Sequence, residues 1–477
     1  MKTKIAEAEG VTASVYTVDS FAVLTLSLNV AKTVAAKADA TEQEVKTALD
    51  GLTAAIASLR FKYDEPESSN NEPTPGIGAG TGNPTTHMVK EDGSILLGKE
   101  SVIVNGDTAI VSVAPKLFED AVKQIEDSKQ TTVTIQVPES INSSQVTVQL
   151  PADAFKQMRD NKIDTIRILS SSGEISIPTV ALGEQVDNRM VSISMNKVNK
   201  SDLSLQAANV VGDSPVYDFS IMADGKHITT FAGNASVSIT VSYSAKLGED
   251  PNKIVMYYLN DNGELEVMKF STYDKTTGKL TFQTPHLSKY VVKQAEVIFK
   301  DVESNRWSKP YIDSLAARGI IAGKSDLQFE PGDSVTRAEF IKLVMEAFDL
   351  IDAKAQSSFS DVTKGEWYYQ AVASAEKLGI VSGLDAHKFG TQVLITRQDM
   401  AVMMGRAAAI AKIKITKEQN PIIFKDASSI ADYALESVST MQQAGILDGL
   451  DLGIFAPNGN ATREQAAKLT WLLFELR

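Results

Sequence analysis

Apolar residues in the first sixty positions recur at three- and four-residue steps, which is the spacing of one helix face. Two such stripes are present: Val18, Phe21, Leu24, Leu28, Ala31 and Val34, then Val45, Leu49, Leu52, Ile56 and Leu59. Thr41 and Glu44, between the stripes, have the spacing of a capping box. With a short first helix over residues 2–10, residues 1–62 are predicted to form an all-α three-helix bundle.

Residues 89–297 change to alternating or β-branched patterns, which predict strands. The predicted strands are Val102–Val113, Thr132–Val137, Val146–Leu150, Thr165–Leu169, Val191–Met195, Ser236–Tyr243 and Ile254–Leu259. Two helical interruptions begin at Pro115 and Pro151, because proline suits the first helical turn. The region is predicted to be a β-rich, sandwich-like fold of one domain or two subdomains. Residues 63–88, rich in proline and glycine, are predicted to be a linker.

From residue 298 onward, one pattern occurs three times at a period near 60 residues, which indicates three copies of one helix–loop–helix unit. The predicted repeats are residues 298–350, 351–414 and 415–477. Each has a Phe-x-Asp opening, an aromatic residue, two glycines and a Thr-Arg pair. In chain order these landmarks include Asp301, Trp307, Gly323 and Arg337; Asp361, Trp367, Gly383 and Arg397; and Asp426, Tyr433, Gly449 and Arg463.

Charge and composition exclude several classes of function. The net charge of −13 argues against a general nucleic-acid or anionic-membrane binder. The chain has no cysteine and four scattered histidines, so no metal site and no cofactor is expected. The N-terminus lacks the apolar core of a signal peptide, and no apolar stretch is long enough for membrane insertion. A secreted protein without its own signal peptide would have to be a fragment, and we expect this chain to be the C-terminal part of something longer.

The Thr-Arg pair opens the second helix of each repeat, and its threonine is an N-cap residue. Three residues after Thr336 and Thr462 come Glu339 and Gln465, whose side chains can complete capping boxes. Asp399 follows Thr396 at the same distance, but its side chain is too short to reach the Thr396 N–H equally well. An arginine beside free N–H groups at a helix N-terminus can receive a carboxylate or phosphate. The same arginines could instead pair with Asp301, Asp361 and Asp426 and fasten the repeats together. The sequence leaves both interpretations open.

The repeats resemble the S-layer homology domain. The first copy carries the landmarks Phe-x-Asp-Val, Trp307, Gly-Ile-x-x-Gly, Phe-x-Pro and Thr-Arg-Ala-Glu. The resemblance implies an all-α pseudo-threefold bundle at a bacterial cell surface, with grooves between repeats. These grooves would bind secondary cell-wall polysaccharide non-covalently, often through a terminal pyruvylated N-acetylmannosamine. Peptidoglycan is a further partner to consider. Copies of the chain could also assemble with one another in a surface layer.

The twelve landmark residues named above are the candidate ligand-binding residues that the resemblance implies. Asp301, Trp307, Gly323 and Arg337 are expected to form the leading site. The second and third copies depart from the family pattern, with Gly390 where a proline is preferred and Tyr433 in place of tryptophan. Those copies are therefore expected to form weaker or purely structural grooves.

Two other segments carry hypotheses of their own. Residues 1–60 resemble the FIVAR module of bacterial surface and glycan-degrading proteins. The string His286-Leu287-Ser288 resembles the self-cleaving strand of ZU5-type domains, in which serine attacks the preceding carbonyl. Leucine replaces the usual phenylalanine there, so a structural strand is predicted instead of cleavage.

The alternative function is a carbohydrate-binding, protein-binding or structural module of an extracellular glycan-degrading enzyme whose catalytic domain lies upstream. Exposed aromatic residues on one sheet face would support such a module, with Tyr217, Phe219, Phe231 and Tyr243 as candidates, although alternating aromatics are more often core. Carboxylates in the β-rich region lie mostly in turns, and no paired acids or nucleophile motif is apparent. The chain is therefore expected not to be an enzyme.

Overall fold

The computed structural model describes residues 2–9, 18–37, 40–57, 87–141, 143–233, 235–417, 420, 422–450 and 453–477. The predicted linker lies outside the described residues up to residue 86. The chain forms two compact units. Unit 1 comprises Met1–Tyr243, Tyr257–Glu266 and Thr281–Val292, and unit 2 comprises Ser244–Met256, Val267–Leu280 and Lys293–Arg477. The predicted domain boundary at residue 297 does not coincide with this division, since two β-rich segments belong to the same unit as the repeats.

Unit 1 begins with three helices: α1 (Lys2–Glu9), α2 (Val18–Ala36) and α3 (Glu42–Ala57). At the start of α3 the Thr41 N–H donates to Glu44 Oε2 at 2.8 Å, and the Glu44 N–H donates to Thr41 Oγ1 at 3.2 Å. The capping box read from the sequence is therefore formed. The helices share a small apolar core made of Ala8, Leu24, Ala31, Leu52 and Ala55.

The β-rich part of the chain contains seventeen strands among the described residues. They are β1 (Met88–Val89), β2 (Ile95–Leu96), β3 (Val102–Asn105), β4 (Thr108–Ser112), β5 (Thr132–Gln136), β6 (Gln145–Leu150), β7 (Thr165–Ser170), β8 (Gly173–Pro178), β9 (Val191–Val198), β10 (Val216–Ala223), β11 (Lys226–His227), β12 (Val237–Ser242), β13 (Ile254–Leu259), β14 (Leu265–Val267), β15 (Ser271–Asp274), β16 (Lys279–Thr284) and β17 (Lys289–Gln294). Short helices interrupt them: α4 (Pro115–Ser128), α5 (Ala154–Asp160), α6 (Thr179–Leu182) and α7 (Leu205–Val211).

Within unit 1 the strands form two mixed sheets. One contains the order β1-β2-β5-β7-β8-β12, and the other contains β17-β10-β9-β6-β4-β3 with β11 beside β10. The pairs β2–β5, β5–β7 and β4–β6 are parallel, whereas β6–β9 and β9–β10 are antiparallel. The β-rich prediction is thus confirmed, and the parallel pairs follow from the chain crossing over through α4 and α5 between strands.

Local sequence explains most of these elements. In β6 the side chains of Val146, Val148 and Leu150 are buried and alternate with half-buried polar ones, as expected for a strand with one core face. The stretch predicted as one strand, Val102–Val113, is a hairpin because Gly106 turns the chain with φ +59°. Helix α5 begins at Ala154, three residues after Pro151, since residues 151–153 form a turn first.

Unit 2 contains two helices in each repeat, as predicted. They are α8 (Lys309–Ala317) and α9 (Arg337–Ala347), α10 (Tyr369–Lys377) and α11 (Arg397–Ile410), and α12 (Asp432–Gln443) and α13 (Arg463–Phe474). Just after the first helix of each repeat lies a glycine in the left-handed conformation: Gly319, Gly379 and Gly445, with φ +66°, +70° and +70°. All three repeats contribute to one continuous apolar core, which includes Phe329, Phe389 and Phe455.

The residue that precedes the capping threonine joins the repeats in a closed ring of backbone hydrogen bonds. The Val335 N–H donates to Ala461 O at 3.0 Å, the Ala461 N–H to Ile395 O at 2.9 Å, and the Ile395 N–H to Val335 O at 3.0 Å. Each repeat therefore gives one bond and accepts one bond at this point. The ring brings the N-termini of α9, α11 and α13 together.

Candidate functional site

The N-termini of α9, α11 and α13 are capped as their sequences require. Thr336 and Thr462 form complete capping boxes with Glu339 and Gln465. Thr396 accepts the Asp399 N–H at 3.2 Å without the reciprocal bond, because the aspartate side chain is one carbon shorter. The predicted difference between the copies is confirmed.

Each arginine in these first turns is buried and reaches into the following repeat. Arg337, Arg397 and Arg463 are only 5%, 5% and 8% exposed. Arg337 donates to Phe389 O at 3.0 Å and to Ser382 O at 2.8 Å. Arg397 donates to Phe455 O and Asp448 O, and Arg463 returns to the first repeat by donating to Phe329 O and Ala322 O. The three arginines thus close a cycle of contacts.

The guanidinium groups also lie over phenylalanine rings of the following repeat. Arg337 is 4.8 Å from the ring centroid of Phe389, and Arg463 is 4.5 Å from that of Phe329. Burial lowers the pKa of these arginines, with partial compensation by nearby carboxylates such as Asp399 for Arg337. The fastening role considered from the sequence is therefore present, but the partners are carbonyl groups and aromatic faces instead of the opening aspartates.

The opening aspartates hold the loops that receive the arginines. Asp301 accepts the N–H groups of Phe329 and Glu330 at 2.9 and 2.6 Å. Asp361 and Asp426 make the equivalent bonds to their own loops. Burial opposes ionisation of each carboxylate, but the backbone donors outweigh it, so the pKa of all three is lowered. Each aspartate thereby fixes the carbonyl that the arginine of the preceding repeat contacts.

At the position of the second glycine of each repeat, there is no room for a side chain. A Cβ atom on Gly383 would lie 2.3 Å from Asp385 O and 2.7 Å from the Phe359 ring, and Gly323 and Gly449 are similarly confined. The loop therefore folds back on the phenylalanine only when this residue has no side chain. Gly323, Gly383 and Gly449, which are three of the candidate binding residues, therefore have a structural role.

The aromatic residues of the candidate set are exposed, unlike the arginines. Trp307, Trp367 and Tyr433 are 51%, 53% and 57% exposed. Tyr433 Oη donates to Asp399 Oδ1 at 2.8 Å, across a repeat boundary. The residues on either side of Trp307 bind Glu464 of α13: Arg306 at 2.8 and 3.0 Å, and Ser308 at 2.6 Å. Tyr433 and the two neighbours of Trp307 thus contact a helix N-terminus that belongs to another repeat.

The leading site expected from the first repeat alone is not assembled as predicted. The loop that carries Gly323 contacts Arg463 of the third repeat, while Arg337 contacts the loop of the second repeat. Candidate grooves therefore combine residues from different copies. Sequence reasoning missed the Arg306–Glu464 pair because its members are 158 residues apart and no local spacing connects them.

The β-rich region offers less support for a site. Tyr217, Phe219 and Tyr243 are buried and Phe231 is half-buried, so the aromatic sheet face is wrong and the core interpretation is confirmed for the three buried residues. His286 Nδ1 lies 3.3 Å from Tyr290 Oη, and the Tyr290 hydroxyl donates to His286 O. Burial lowers the pKa of His286. Among the described residues, the imidazole ring of His286 is thus hydrogen-bonded to Tyr290.

Within the described part of the chain, no helix has the length and apolarity needed to cross a membrane. In the same residues, histidine and acidic side chains form no group of three that could hold a metal ion.

The repeats match a known family model. The S-layer homology domain matches three times, at residues 298–341, 358–401 and 423–467. The chain is 31% identical over 353 residues to an amylopullulanase of Thermoanaerobacterium thermosulfurigenes, covering 74% of this chain and 18% of that protein. It is 36% identical over 186 residues to an exoglucanase, XynX, of Acetivibrio thermocellus, covering 39% and 17%. It is 29% identical over 179 residues to the S-layer protein sap of Bacillus anthracis, covering 37% and 21%.

The chain thus corresponds to only part of these three relatives, between 17% and 21% of their lengths. The similarity to the amylopullulanase extends beyond the length of the repeats, since it covers 353 residues of this chain.

Proposed function

Because the C-terminal repeats of this chain are S-layer homology domains of a cell-surface protein, we propose that they anchor it non-covalently to the wall of a bacterial cell. The observation that carries the proposal is that all three matched repeats have a buried arginine at a helix N-terminus and an exposed aromatic residue, and that the aromatic Tyr433 contacts the helix N-terminus of another repeat. A sugar ring can stack on the aromatic face, and the positive charge of the arginine favours an anion nearby.

The ligand in this proposal is secondary cell-wall polysaccharide that carries an acidic sugar, such as a pyruvylated N-acetylmannosamine. The ketal carboxylate is the anion that the cationic helix ends would receive. The closed ring of Val335, Ile395 and Ala461 supports a pseudo-threefold bundle in which three such grooves recur. The three grooves have different side chains, which implies that they bind the polysaccharide with different affinities.

The rest of the chain is proposed to be non-catalytic. The helical segment and the mixed sheets would act as spacer and stalk between the wall and the functional part of the protein. The FIVAR resemblance of the helical segment remains a prediction. Extracellular localisation at the cell wall follows from the anchoring role.

The second candidate is a module of an extracellular glycan-degrading enzyme. It is favoured by the relatives named amylopullulanase and exoglucanase, the first of which aligns with 74% of this chain. In that case the same repeats would hold an enzyme at the wall, and the β-rich region would belong to its non-catalytic part. The two candidates share the anchoring step and differ in the cargo.

Co-sedimentation of the whole chain with purified Gram-positive sacculi tests the proposal. Sacculi stripped of their secondary polysaccharide provide the matched control. Binding to intact sacculi alone supports the proposal. Equal binding to both kinds of sacculi would mean that the ligand is peptidoglycan. If the chain binds neither kind, the anchoring proposal is wrong.

A further inference from the structure

The three helices at the start of unit 1 leave one apolar side of α2 uncovered. Helix α1 contacts both α2 and α3, and the core that the three helices share includes Leu24 of α2. Because successive residues of a helix are turned by about 100°, Leu26 lies on nearly the opposite side of α2 from Leu24. Leu26, Val30 and Val34 continue this second stripe at four-residue steps, and the first two are 68% and 56% exposed. Among the described residues, nothing covers this side of the helix.

The stripe forms one wall of an open groove between α2 and α3. The groove has a volume of about 410 Å³, and Thr47, Ala48 and Leu52 of α3 form the facing wall. Gly51 also lines it, and a Cβ atom there would meet no other atom within 4 Å. The groove therefore has free space on the α3 side and a projecting apolar ridge on the α2 side.

The chemistry of the lining restricts what can occupy the groove. Glu44 lines it, and its carboxylate is paired with Lys37 Nζ at 2.8 Å. None of the described lining residues is basic or aromatic. A sugar ring would thus find no aromatic face for stacking, and an anionic membrane surface would find no cation in the lining. The groove fits the apolar face of another helix.

The charge of the helical segment favours a second copy of the same chain as the source of that helix. Residues 1–62 contain seven basic and seven acidic residues, whereas the whole chain has a net charge of −13. Like net charge keeps copies of a protein apart, and a surface without net charge promotes association. Two copies therefore repel each other least at this segment.

The stripe is also complementary to itself. Leu26 and Val34 are each four residues from Val30, so a two-fold axis at Val30 places Leu26 of one α2 opposite Val34 of an antiparallel α2. Leu26 projects into solvent, whereas Val34 is half-buried. The projecting residue of each copy would thus meet the recessed residue of the other.

We propose that the groove between α2 and α3 binds a second copy of this chain, with the two α2 helices antiparallel and the two Val30 side chains facing each other at the two-fold axis. Dimerisation removes the exposed surfaces of Leu26 and Val30 from water, which is favourable for apolar side chains. The proposal is independent of the anchoring function, since all of these residues belong to unit 1.

Analytical ultracentrifugation of the whole chain tests the proposal at concentrations from about 1 to about 100 μM, which cover weak and moderate dimers. We expect the mass to rise with concentration from 51.4 kDa towards twice that value. Val30→Lys replaces apolar surface with two facing cations and should raise the dissociation constant at least about tenfold. Ala35→Lys is the matched control, because Ala35 is exposed on the same helix and outside the groove. It should dimerise like the unmodified chain.

A mixture of Val30→Lys with Val30→Glu tests the antiparallel geometry. Each variant alone should be monomeric, and the mixture should dimerise again because opposite charges then meet at the axis. Circular dichroism checks that every variant keeps its helices. An unmodified chain that stays monomeric at all concentrations overturns the proposal, and so does a dimer that Val30→Lys weakens no more than Ala35→Lys does. Failure of the mixture to dimerise overturns the facing of the two Val30 side chains.

Discussion

Arg463 and Phe329 lie 134 residues apart and are in direct contact. The guanidinium donates to the Phe329 carbonyl oxygen at 2.9 Å and lies 4.5 Å from the centroid of its ring. This contact joins the last repeat to the first and completes the cycle begun by Arg337 and Arg397. The residue most readily interpreted as a ligand receptor is therefore also a structural fastener.

Replacing Arg463 with alanine should destabilise the repeat unit. Two buried carbonyl groups would lose their donor and a cation–π contact would vanish, a loss of about 3 kcal/mol in the free energy of unfolding. Urea denaturation measures it. Arg406→Ala, at an exposed position of α11, is the matched control and should cost less than about 1 kcal/mol. Equal stabilities of the two variants would refute the fastening role.

Gly383→Ala should be destabilising for a steric reason. The added Cβ would lie 2.3 Å from Asp385 O and 2.6 Å from Lys388 O, both backbone atoms that cannot move without opening the loop. Overpacking of this kind costs roughly 1–3 kcal/mol. Gly332→Ala is the control, because a Cβ there meets nothing within 4 Å. The melting temperatures of both variants are compared by thermal unfolding. Similar melting temperatures would contradict the steric role of Gly383.

The loop aspartates should make the stability of unit 2 depend on pH. The pKa of Asp361 is lowered in the folded state, so its contribution is present above the unfolded value near 3.8 and is lost as pH falls through the folded one. Asp361→Asn should cost about 1.5–3 kcal/mol at neutral pH, as expected for hydrogen bonds to a charged group. The difference in unfolding free energy between Asp361→Asn and the unmodified chain should become smaller below about pH 4.

Melting temperatures between pH 3 and 7 measure this dependence. Asp326→Asn, in an exposed part of the same type of loop, serves as the control. A constant difference between Asp361→Asn and the unmodified chain across this range would mean that the carboxylate charge is not the stabilising feature.

Arg318 should couple the repeats to the β-rich segments of unit 2. Its side chain is 1% exposed, donates to Ser271 O, Asn252 O and Ser314 O, and lies 4.5 Å from the Trp471 ring centroid. Residues 298–477 alone lack two of these carbonyls. We expect that fragment to unfold more readily than unit 2 does in the whole chain, because a buried cation without partners is unfavourable.

A double-mutant cycle checks the role of Arg318. Arg318→Met should destabilise unit 2 by about 3 kcal/mol in the whole chain and by less in the fragment, since the partners are already absent there. The same loss in both proteins would show that Ser271 and Asn252 do not matter.

The chain should remain intact at the Leu287–Ser288 bond. His286 is hydrogen-bonded to Tyr290, and burial lowers its pKa, while Ser288 O accepts the Phe219 N–H as part of the sheet. Mass spectrometry after prolonged incubation should detect only the full 51.4 kDa chain. A fragment pair that forms in this protein but not in Ser288→Ala would reveal self-cleavage.

Local features of the fold followed from the sequence because short-range chemistry determines them. Thr336 with Glu339, and Thr462 with Gln465, form the expected capping boxes, and Gly319 ends its helix in the left-handed conformation. The three-copy pattern likewise predicted two helices per repeat. In the β-rich region, alternation identified β6 and a continuous apolar run identified β13, whereas short strands such as β1 and β11 lacked a distinctive pattern.

The partners of the repeated residues were decided only by tertiary structure. Every copy has an aspartate, a glycine and an arginine at nearly the same spacing, so the sequence could not show whether Arg337 meets its own loop or the next one. Each repeat buries its apolar face only against its neighbours, and that packing carries Arg337 to Phe389 and Arg463 to Phe329.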